Sequence, residues 1–177
     1  MINLKTTREL RYMRDAGKIS QEALLKAGEA VRPGVSTLEL DKIVRRTIEK
    51  AGAVPSFLGY GGFPASACIS VNNVVIHGIP SAHEILKEGD IVSIDVGAIY
   101  EGFNGDNAWT FPCGKVSEEA QKLMDATRES LFLAIEKAVP GNRIGDIGSA
   151  VQRYVEARNY SVVRDFVGHG VGAKMHE

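Results

Sequence analysis

Two aspartates eleven positions apart, Asp95 and Asp106, are the strongest candidates for chemistry in this sequence. Asp95 lies between Ile94 and Val96, and a hairpin turn around Tyr100-Glu101 would make residues whose numbers sum to 201 direct cross-strand partners. We therefore expect the two carboxylates to face each other. Opposed like charges disfavour a sheet, and burying them unpaired costs several kcal/mol, so such a pair needs a cation or a shared proton. The alternative is a turn residue and a solvated acid.

The histidines supply the other polar candidates. His169 lies in a glycine-rich apolar stretch, where the backbone can approach closely and an imidazole can act as a nitrogen ligand. Two carboxylates and one imidazole suit Mn, Fe, Co or Zn in hydrolysis better than a structural zinc site. His77 and His176 lack metal-ligand spacing, and each is either a hydrogen-bond donor to a substrate carbonyl or oxyanion or an ordinary surface residue. His83 lies in a polar loop and is expected to have no role.

Composition excludes several classes of protein. The chain has 177 residues, is 44% hydrophobic and carries a formal charge of −1, which is typical of a globular protein with a real core. No basic stretch indicates binding to nucleic acid or anionic lipid. No apolar run approaches the length of a membrane span, and the first residues do not resemble a signal peptide, so we expect a cytoplasmic protein. The two cysteines, Cys68 and Cys113, are expected to be reduced.

The pattern of helix and strand signals comes in blocks, which indicates an α+β fold. Capping sequences at Thr6 and Ser36 predict two successive helices, the first interrupted near Gly17. Strands are predicted for the β-branched runs 68–71, 74–76 and 91–96. Two further helices are predicted, one from Ser117 to the Pro140-Gly141 break and one over about 146–157.

An internal repeat relates the two halves of the sequence at an offset of 107 residues. The Pro33-Gly34 break aligns with Pro140-Gly141, and several apolar and charged residues align on both sides of it. Chance agreement between two amphipathic helix pairs is the alternative. Duplication predicts a single catalytic-type domain over 1–177, with one copy over about 7–112 and a second, incomplete copy over about 117–177.

The ordered motifs around these residues resemble those of type I methionine aminopeptidases. The resemblance spans nearly the whole chain and is carried by four segments: Cys68 to Pro80, Ser93-Ile94-Asp95-Val96 with Gly105-Asp106, Gly168 to Gly172, and Met175-His176-Glu177. It implies the pseudo-symmetric pita-bread fold and a site for two divalent metal ions, Co, Mn, Fe or Zn.

The resemblance also implies roles for particular residues. Asp95, Asp106 and His169 take metal-ligand positions, and His77 and His176 take the positions of catalytic, substrate-facing histidines. The family lines its methionine pocket at the positions of Phe57, Tyr60, Phe63, Cys68 and Met175, where aromatic and sulfur contacts suit a thioether. Asn72 and Val74 correspond to a loop that holds a monovalent cation in some members.

One departure from the family pattern concerns activity. The family completes its site with two glutamates at positions beyond His176-Glu177, so the resemblance implies weak metal binding and little activity for these 177 residues alone. It implies removal of the N-terminal methionine from nascent polypeptides, with the ribosome as a partner. Because the incomplete second copy would leave part of the sheet uncovered, we also expect self-association through that sheet. A prolidase-like peptidase and a non-catalytic binding module on the same fold are the alternatives.

Overall fold

The structure, a computed structural model, describes residues 3–177. These residues form two compact units, one containing residues 3–116 with 169–177 and the other containing Ser117–Gly168. All of the candidate site residues belong to the first unit. Among the described residues, no helix combines the length and the apolar character needed to cross a membrane.

Two helices open the first unit, α1 (Thr7–Glu29) and α2 (Thr37–Lys50), and both capping predictions are confirmed. In each capping box the cap hydroxyl accepts a backbone N–H three residues on, and a glutamate carboxylate accepts the N–H of the cap residue. The predicted interruption of α1 is wrong, because the helix runs without a break through Gly17. The side-chain amide of Asn107 donates to the Gly17 carbonyl over 3.0 Å, which ties this part of α1 to the sheet.

Four antiparallel strands form the sheet of the first unit: β1 (Val54–Pro55), β2 (Ala67–Val71), β3 (Ile91–Tyr100) and β4 (Phe103–Pro112). β4 pairs along all of β3, and β2 and β1 pair in succession with the other edge of β3. The predicted strand at 74–76 is wrong. Asn72, with a φ of 53°, turns the chain out of β2, and both edges of β3 are already occupied.

The β3–β4 hairpin differs in register from the prediction. Tyr100 pairs with Phe103, so partner numbers sum to 203 and the predicted sum of 201 is wrong. The turn lies one residue later than expected, at Glu101-Gly102, where φ is 50° and 80°, as in the two-residue turns that suit strand twist. Because side chains alternate with a period of two, this difference preserves the face of every residue.

The two faces of the sheet have different roles. One face of β3 presents four fully buried apolar side chains, which pack against α1 and α2 in the main core: Val92, Ile94, Val96 and Ala98. Burying a side chain of valine or isoleucine contributes roughly 1.5–3 kcal/mol. The other face of β3 carries Ser93, Asp95 and Gly97. The helical layer therefore packs on one face of β3, and the opposite face is available for a site.

The second unit contains α3 (Glu118–Ile135) and α4 (Ile144–Glu156). Ser117 caps α3 by accepting the Ala120 N–H over 3.1 Å, as its position predicts. The start of α2 at Thr37, displaced by the predicted repeat of 107 residues, coincides with the start of α4 at Ile144. The internal repeat and the single-domain assignment stay predictions.

Candidate active site

A pair of carboxyl groups forms the centre of the candidate site. Asp95 pairs across β3–β4 with Ala108, while Asp106 pairs with Gly97, so the two aspartates are diagonal neighbours on one face of the sheet. Their side chains hydrogen-bond to each other. Burial, the negative charge of Asp106 and this hydrogen bond together raise the pKa of Asp95 to about 7. A shared proton or a cation is the chemical solution to such a pair.

His169 lies beside the acid pair. Its Nε2 atom is 3.9 Å from Oδ2 of Asp106. Its Nδ1 atom is 3.1 Å from the carbonyl oxygen of Gly170. Because a carbonyl oxygen only accepts hydrogen bonds, this contact places the proton on Nδ1 and leaves the lone pair on Nε2, the arrangement of a metal-ligating imidazole.

The donor chemistry of these three residues fits a divalent transition metal, since carboxylate oxygens and an imidazole nitrogen are the ligands used by Mn, Fe, Co and Zn in hydrolases. A cation would also relieve the repulsion between Asp95 and Asp106. In residues 3–177, however, no three His, Cys, Asp or Glu side chains converge closely enough to hold an ion. Asp95, Asp106 and His169 thus match a metal site in kind but do not complete one.

An apolar cluster adjoins the acid pair. Phe57, Cys68 and Met175 are buried together, and Phe63 packs against them. Cys68 is the direct cross-strand partner of Asp95, so the cluster and the acid pair share one face of the sheet. Burial, with the charges of the two aspartates, raises the pKa of the Cys68 thiol to about 12, so this sulfur is a neutral, apolar contact.

Gly97 makes room for this cluster. A Cβ atom at Gly97 would lie 2.6 Å from the Phe57 ring and 2.8 Å from Cβ of Ser56. Since real Cβ atoms do not approach that closely, only glycine lets the phenylalanine ring lie against β3 next to the aspartates. Four of the five predicted pocket residues therefore lie in one apolar cluster: Phe57, Phe63, Cys68 and Met175.

Tyr60, the fifth predicted pocket residue, has a different contact. It lies in a short turn, Tyr60–Gly62, flanked by Gly59, and its hydroxyl is 2.8 Å from Nδ1 of His176. The His176 ring packs edge-on against the His169 ring, with centroids 4.3 Å apart. His176 thus links Tyr60 to the proposed ligand His169.

His77 and the predicted monovalent-cation loop lie along β2. His77 is exposed and has a φ of 58°, and the next residue, Gly78, accepts the Ile69 N–H over 2.9 Å, which fixes His77 beside the strand that carries Cys68. The Asn72 side chain donates to Asp90 and accepts the Ile91 N–H. The roles predicted for His77, and for Asn72 and Val74 as cation ligands, stay predictions.

Two residues that position the site were not identified from the sequence. Asn104, which is buried, receives no charge or motif signal, yet its side-chain amide donates to the Gly172 carbonyl over 3.1 Å and its backbone N–H donates to the same oxygen over 2.8 Å. Lys5 forms an ion pair with Glu177. Both contacts tie the segment 169–177, which carries His169 and His176, to the rest of the first unit. An asparagine inside a strand pattern was the only available signal for Asn104.

Comparison with known proteins agrees with this geometry. The model of metallopeptidase family M24 matches residues 11–177. A methionine aminopeptidase of Clostridium acetobutylicum is 55% identical over 177 residues, which are all of this chain and 71% of that protein. The crystal structure of methionine aminopeptidase from Thermotoga maritima superposes with a TM-score of 0.98 at 42% identity, again over 100% of this chain and 71% of the other.

A prolidase from Pyrococcus furiosus is more distant, at 24% identity and a TM-score of 0.82 over 98% of this chain and 50% of that one, and shows likeness of fold alone. These structural relatives confirm the predicted α+β pita-bread fold. The family match and the level of identity to the clostridial protein place the sequence among peptidases rather than among unrelated users of the fold. The chain belongs to metallopeptidase family M24, in its type I methionine aminopeptidase branch.

Proposed function

We propose that this chain serves the metal-dependent hydrolysis of the peptide bond that follows an N-terminal methionine. One observation carries the proposal: Cys68 belongs to the apolar cluster and is also the cross-strand partner of Asp95. A methionine side chain that contacts Cys68, Phe57 and Met175 would have its own carbonyl carbon close to the acid pair. The relatives named above as methionine aminopeptidases support this assignment.

The roles of the residues follow from their chemistry. Asp95, Asp106 and His169 would hold a divalent ion, with Mn, Fe, Co and Zn equally compatible with the donors. A bound metal of this kind supplies an activated water and polarises a carbonyl oxygen. The apolar cluster binds the thioether through aromatic and sulfur contacts. His176 donates a hydrogen bond to the scissile amide or its oxyanion, and His77 acts from the β2 side of the site.

Newly made polypeptides are the natural source of an N-terminal methionine, which makes them the proposed substrate. Contact with the ribosome, a cytoplasmic location and self-association through uncovered sheet remain predictions from the sequence. The non-catalytic alternative differs in one testable respect: it requires no metal at the acid pair.

The decisive experiment uses a chimaera in which this chain replaces the aligned 177 residues of the Clostridium acetobutylicum enzyme. With Mn²⁺ or Co²⁺ added, we expect release of methionine from a Met-Ala-Ser peptide within about tenfold of the parent enzyme. Asp106→Asn in the chimaera should lower release by roughly a hundredfold or more, because it removes a carboxylate that would hold the ion and leaves Asp95 without its acidic partner.

Circular dichroism and a thermal unfolding curve would establish that each chimaera is folded. A folded chimaera without activity, or one in which Asp106→Asn releases methionine at the unsubstituted rate, would contradict the proposed function. Mn²⁺ titration of the 177-residue polypeptide gives a second measurement. We expect one weak site at most, abolished by Asp106→Asn, because the described residues lack a converging group of three ligands.

A further inference from the structure

Tyr60 is the one predicted pocket residue whose polar atom contacts a candidate catalytic group. Tyr60 is about half exposed, at 52%, and lies outside the buried cluster of Phe57, Cys68 and Met175. Its hydroxyl oxygen is 2.8 Å from Nδ1 of His176, and the two rings are tilted by 48° with centroids 5.5 Å apart. The geometry is that of a hydrogen bond in place of a stacked apolar contact.

The direction of this hydrogen bond follows from the two groups. A phenol is a good donor, and its oxygen is a weak acceptor because the ring withdraws its lone pair. A neutral imidazole nitrogen is a strong acceptor, so the favoured arrangement has the Tyr60 O–H donating to Nδ1. The proton of the His176 ring then resides on Nε2.

The turn around Tyr60 is built to hold the hydroxyl in place. Gly59 and Gly62 have φ values of 83° and 85°, which residues with a side chain rarely adopt. The Gly59 N–H donates to the Phe63 carbonyl over 2.8 Å, and the Phe63 N–H donates to the Tyr60 carbonyl over 2.9 Å. These two hydrogen bonds close the turn and hold the backbone from which the Tyr60 side chain reaches His176.

In the adjacent His169 ring, the proton and the lone pair have the opposite positions. Its Nδ1 faces a carbonyl oxygen and carries the proton, which leaves a lone pair on Nε2. Two imidazoles in edge-on contact at 4.3 Å therefore hold different tautomers. One tautomer suits a ligand and the other suits a donor, and the difference arises from their separate Nδ1 partners.

We propose that Tyr60 is a positioning residue that fixes His176 as the Nε2–H tautomer and thereby makes it a hydrogen-bond donor to the substrate. The inference rests on the proposed function, in which His176 donates to the scissile amide or its oxyanion. It assigns Tyr60 a role through His176 and separates it from the residues that contact the methionine side chain.

Nuclear magnetic resonance of the 177-residue chain tests the tautomer directly. With ¹⁵N-labelled histidine at a pH above the usual imidazole pKa of about 6.5, the protonated and bare ring nitrogens have well-separated shifts. We expect His176 as Nε2–H in the unsubstituted chain. Tyr60→Phe, which removes only the hydroxyl, should lower the ratio of Nε2–H to Nδ1–H by roughly fivefold, the equivalent of one hydrogen bond of about 1 kcal/mol.

Tyr12→Phe is the matched control, because the Tyr12 ring stacks on Phe103, with centroids 6.1 Å apart. Among the ring contacts of residues 3–177, none joins Tyr12 to His169 or His176. An unchanged tautomer ratio in Tyr60→Phe, or a His176 that is Nδ1–H from the start, would overturn the inference. In the chimaera, Tyr60→Phe should lower kcat several-fold with little change in KM. A rise in KM alone would instead assign Tyr60 to the methionine pocket and overturn the positioning role.

The two proposals can fail separately. If the chimaera releases methionine but the His176 tautomer does not depend on Tyr60, only the positioning role is lost. If the tautomer depends on Tyr60 as expected and the folded chimaera is inactive, the proposed function is lost while the hydrogen bond stands.

Discussion

Burial of the Asp95 carboxyl, together with its repulsion by Asp106, should make this fold less stable as the pH rises. Asp95 changes its pKa from 3.8 in an ordinary setting to about 7 in the folded chain, so between these values the folded state binds more protons than the unfolded state. Stability gained from the protonated carboxyl is complete below pH 3.8 and is lost as the pH rises through 7. Most paired acids behave in the opposite sense, since their folded pKa is lowered.

The size of the effect follows from the same two values. Each pH unit between them corresponds to about 1.4 kcal/mol, so the full difference is about 4 kcal/mol at pH 8. Asp106 shares the interaction, so we expect Asp95→Asn to raise the free energy of unfolding by about 2–4 kcal/mol at pH 8 and by little at pH 4. An amide keeps the shape of the side chain and a hydrogen-bonding oxygen while removing one charge.

Urea unfolding at several pH values between 4 and 8, at constant ionic strength and with a chelator present, measures this effect. Trp109, the only tryptophan in the sequence, lies in β4 and reports the first unit by its fluorescence. Glu101→Gln is the matched control, because Glu101 is an exposed acid at the tip of the same hairpin.

Other acids do not mimic the result at pH 8. Hydrogen bonds to the cap residue Ser36 lower the pKa of Glu39, so the stability that it contributes is lost only as the pH falls below 4.5. Burial raises the pKa of Asp41, which adds to the pH dependence of every variant equally and cancels from the comparison. The reasoning would be refuted if Asp95→Asn and Glu101→Gln changed stability by the same amount at pH 8.

Two further predictions concern packing and specificity. Gly105→Ala should destabilise the first unit by about 1–3 kcal/mol in urea unfolding, because its Cβ would lie 2.3 Å from the Ala16 carbonyl carbon. Gly17→Ala, where nothing lies within 4 Å of the added carbon, should stabilise α1 by about 0.5–1 kcal/mol. If Gly105→Ala did not destabilise the protein, the close approach of β4 to α1 at Ala16 would be contradicted. In the chimaera, Phe63→Ala should raise KM for Met-Ala-Ser and reduce discrimination against a Leu-Ala-Ser peptide by about 1–3 kcal/mol, and unchanged selectivity in steady-state kinetics would exclude Phe63 from the pocket.

Local signals were sufficient for the helices. Each capping box is a contact between residues three positions apart, so Thr6 with Glu9, and Ser36 with Glu39, could be identified without knowledge of the fold. The predicted break at Gly17 failed because the cost of one glycine in a helix, about 1 kcal/mol, is small beside the packing of α1 on the sheet.

The sheet was harder to predict, because strand pairing depends on which edges are available. The β-branched run 74–76 has the composition of a strand, but β2 and β4 already occupy the edges of β3, and Asn72 turns the chain away. The predicted hairpin register was wrong by two in the sum of partner numbers. A single residue, Gly102, distinguishes a turn at Glu101-Gly102 from one at Tyr100-Glu101.

The error did not change which residues share a face of the hairpin, and a shared face is what brings the two carboxylates together. Any turn that changes the sum of partner numbers by two leaves Asp95 and Asp106 on one face. The roles of Tyr60 and Asn104 could not be found in the same way, because each depends on a contact with the distant segment 169–177. Long-range polar contacts of this kind leave no periodic signal in the sequence.

The acid pair itself is an argument for a bound cation. A sheet position flanked by Cys68 on β2 and Ala108 on β4 would accommodate an apolar side chain at no electrostatic cost, whereas the aspartate destabilises the fold as the pH approaches neutrality. Perturbed acids that weaken the fold cluster at functional sites, where a ligand that binds only the folded state recovers the loss. A divalent ion does so directly, because it interacts with both carboxylates in their charged form. Mn²⁺ should therefore stabilise the unsubstituted chain more at pH 8 than at pH 5, and should have little effect on Asp95→Asn at either pH.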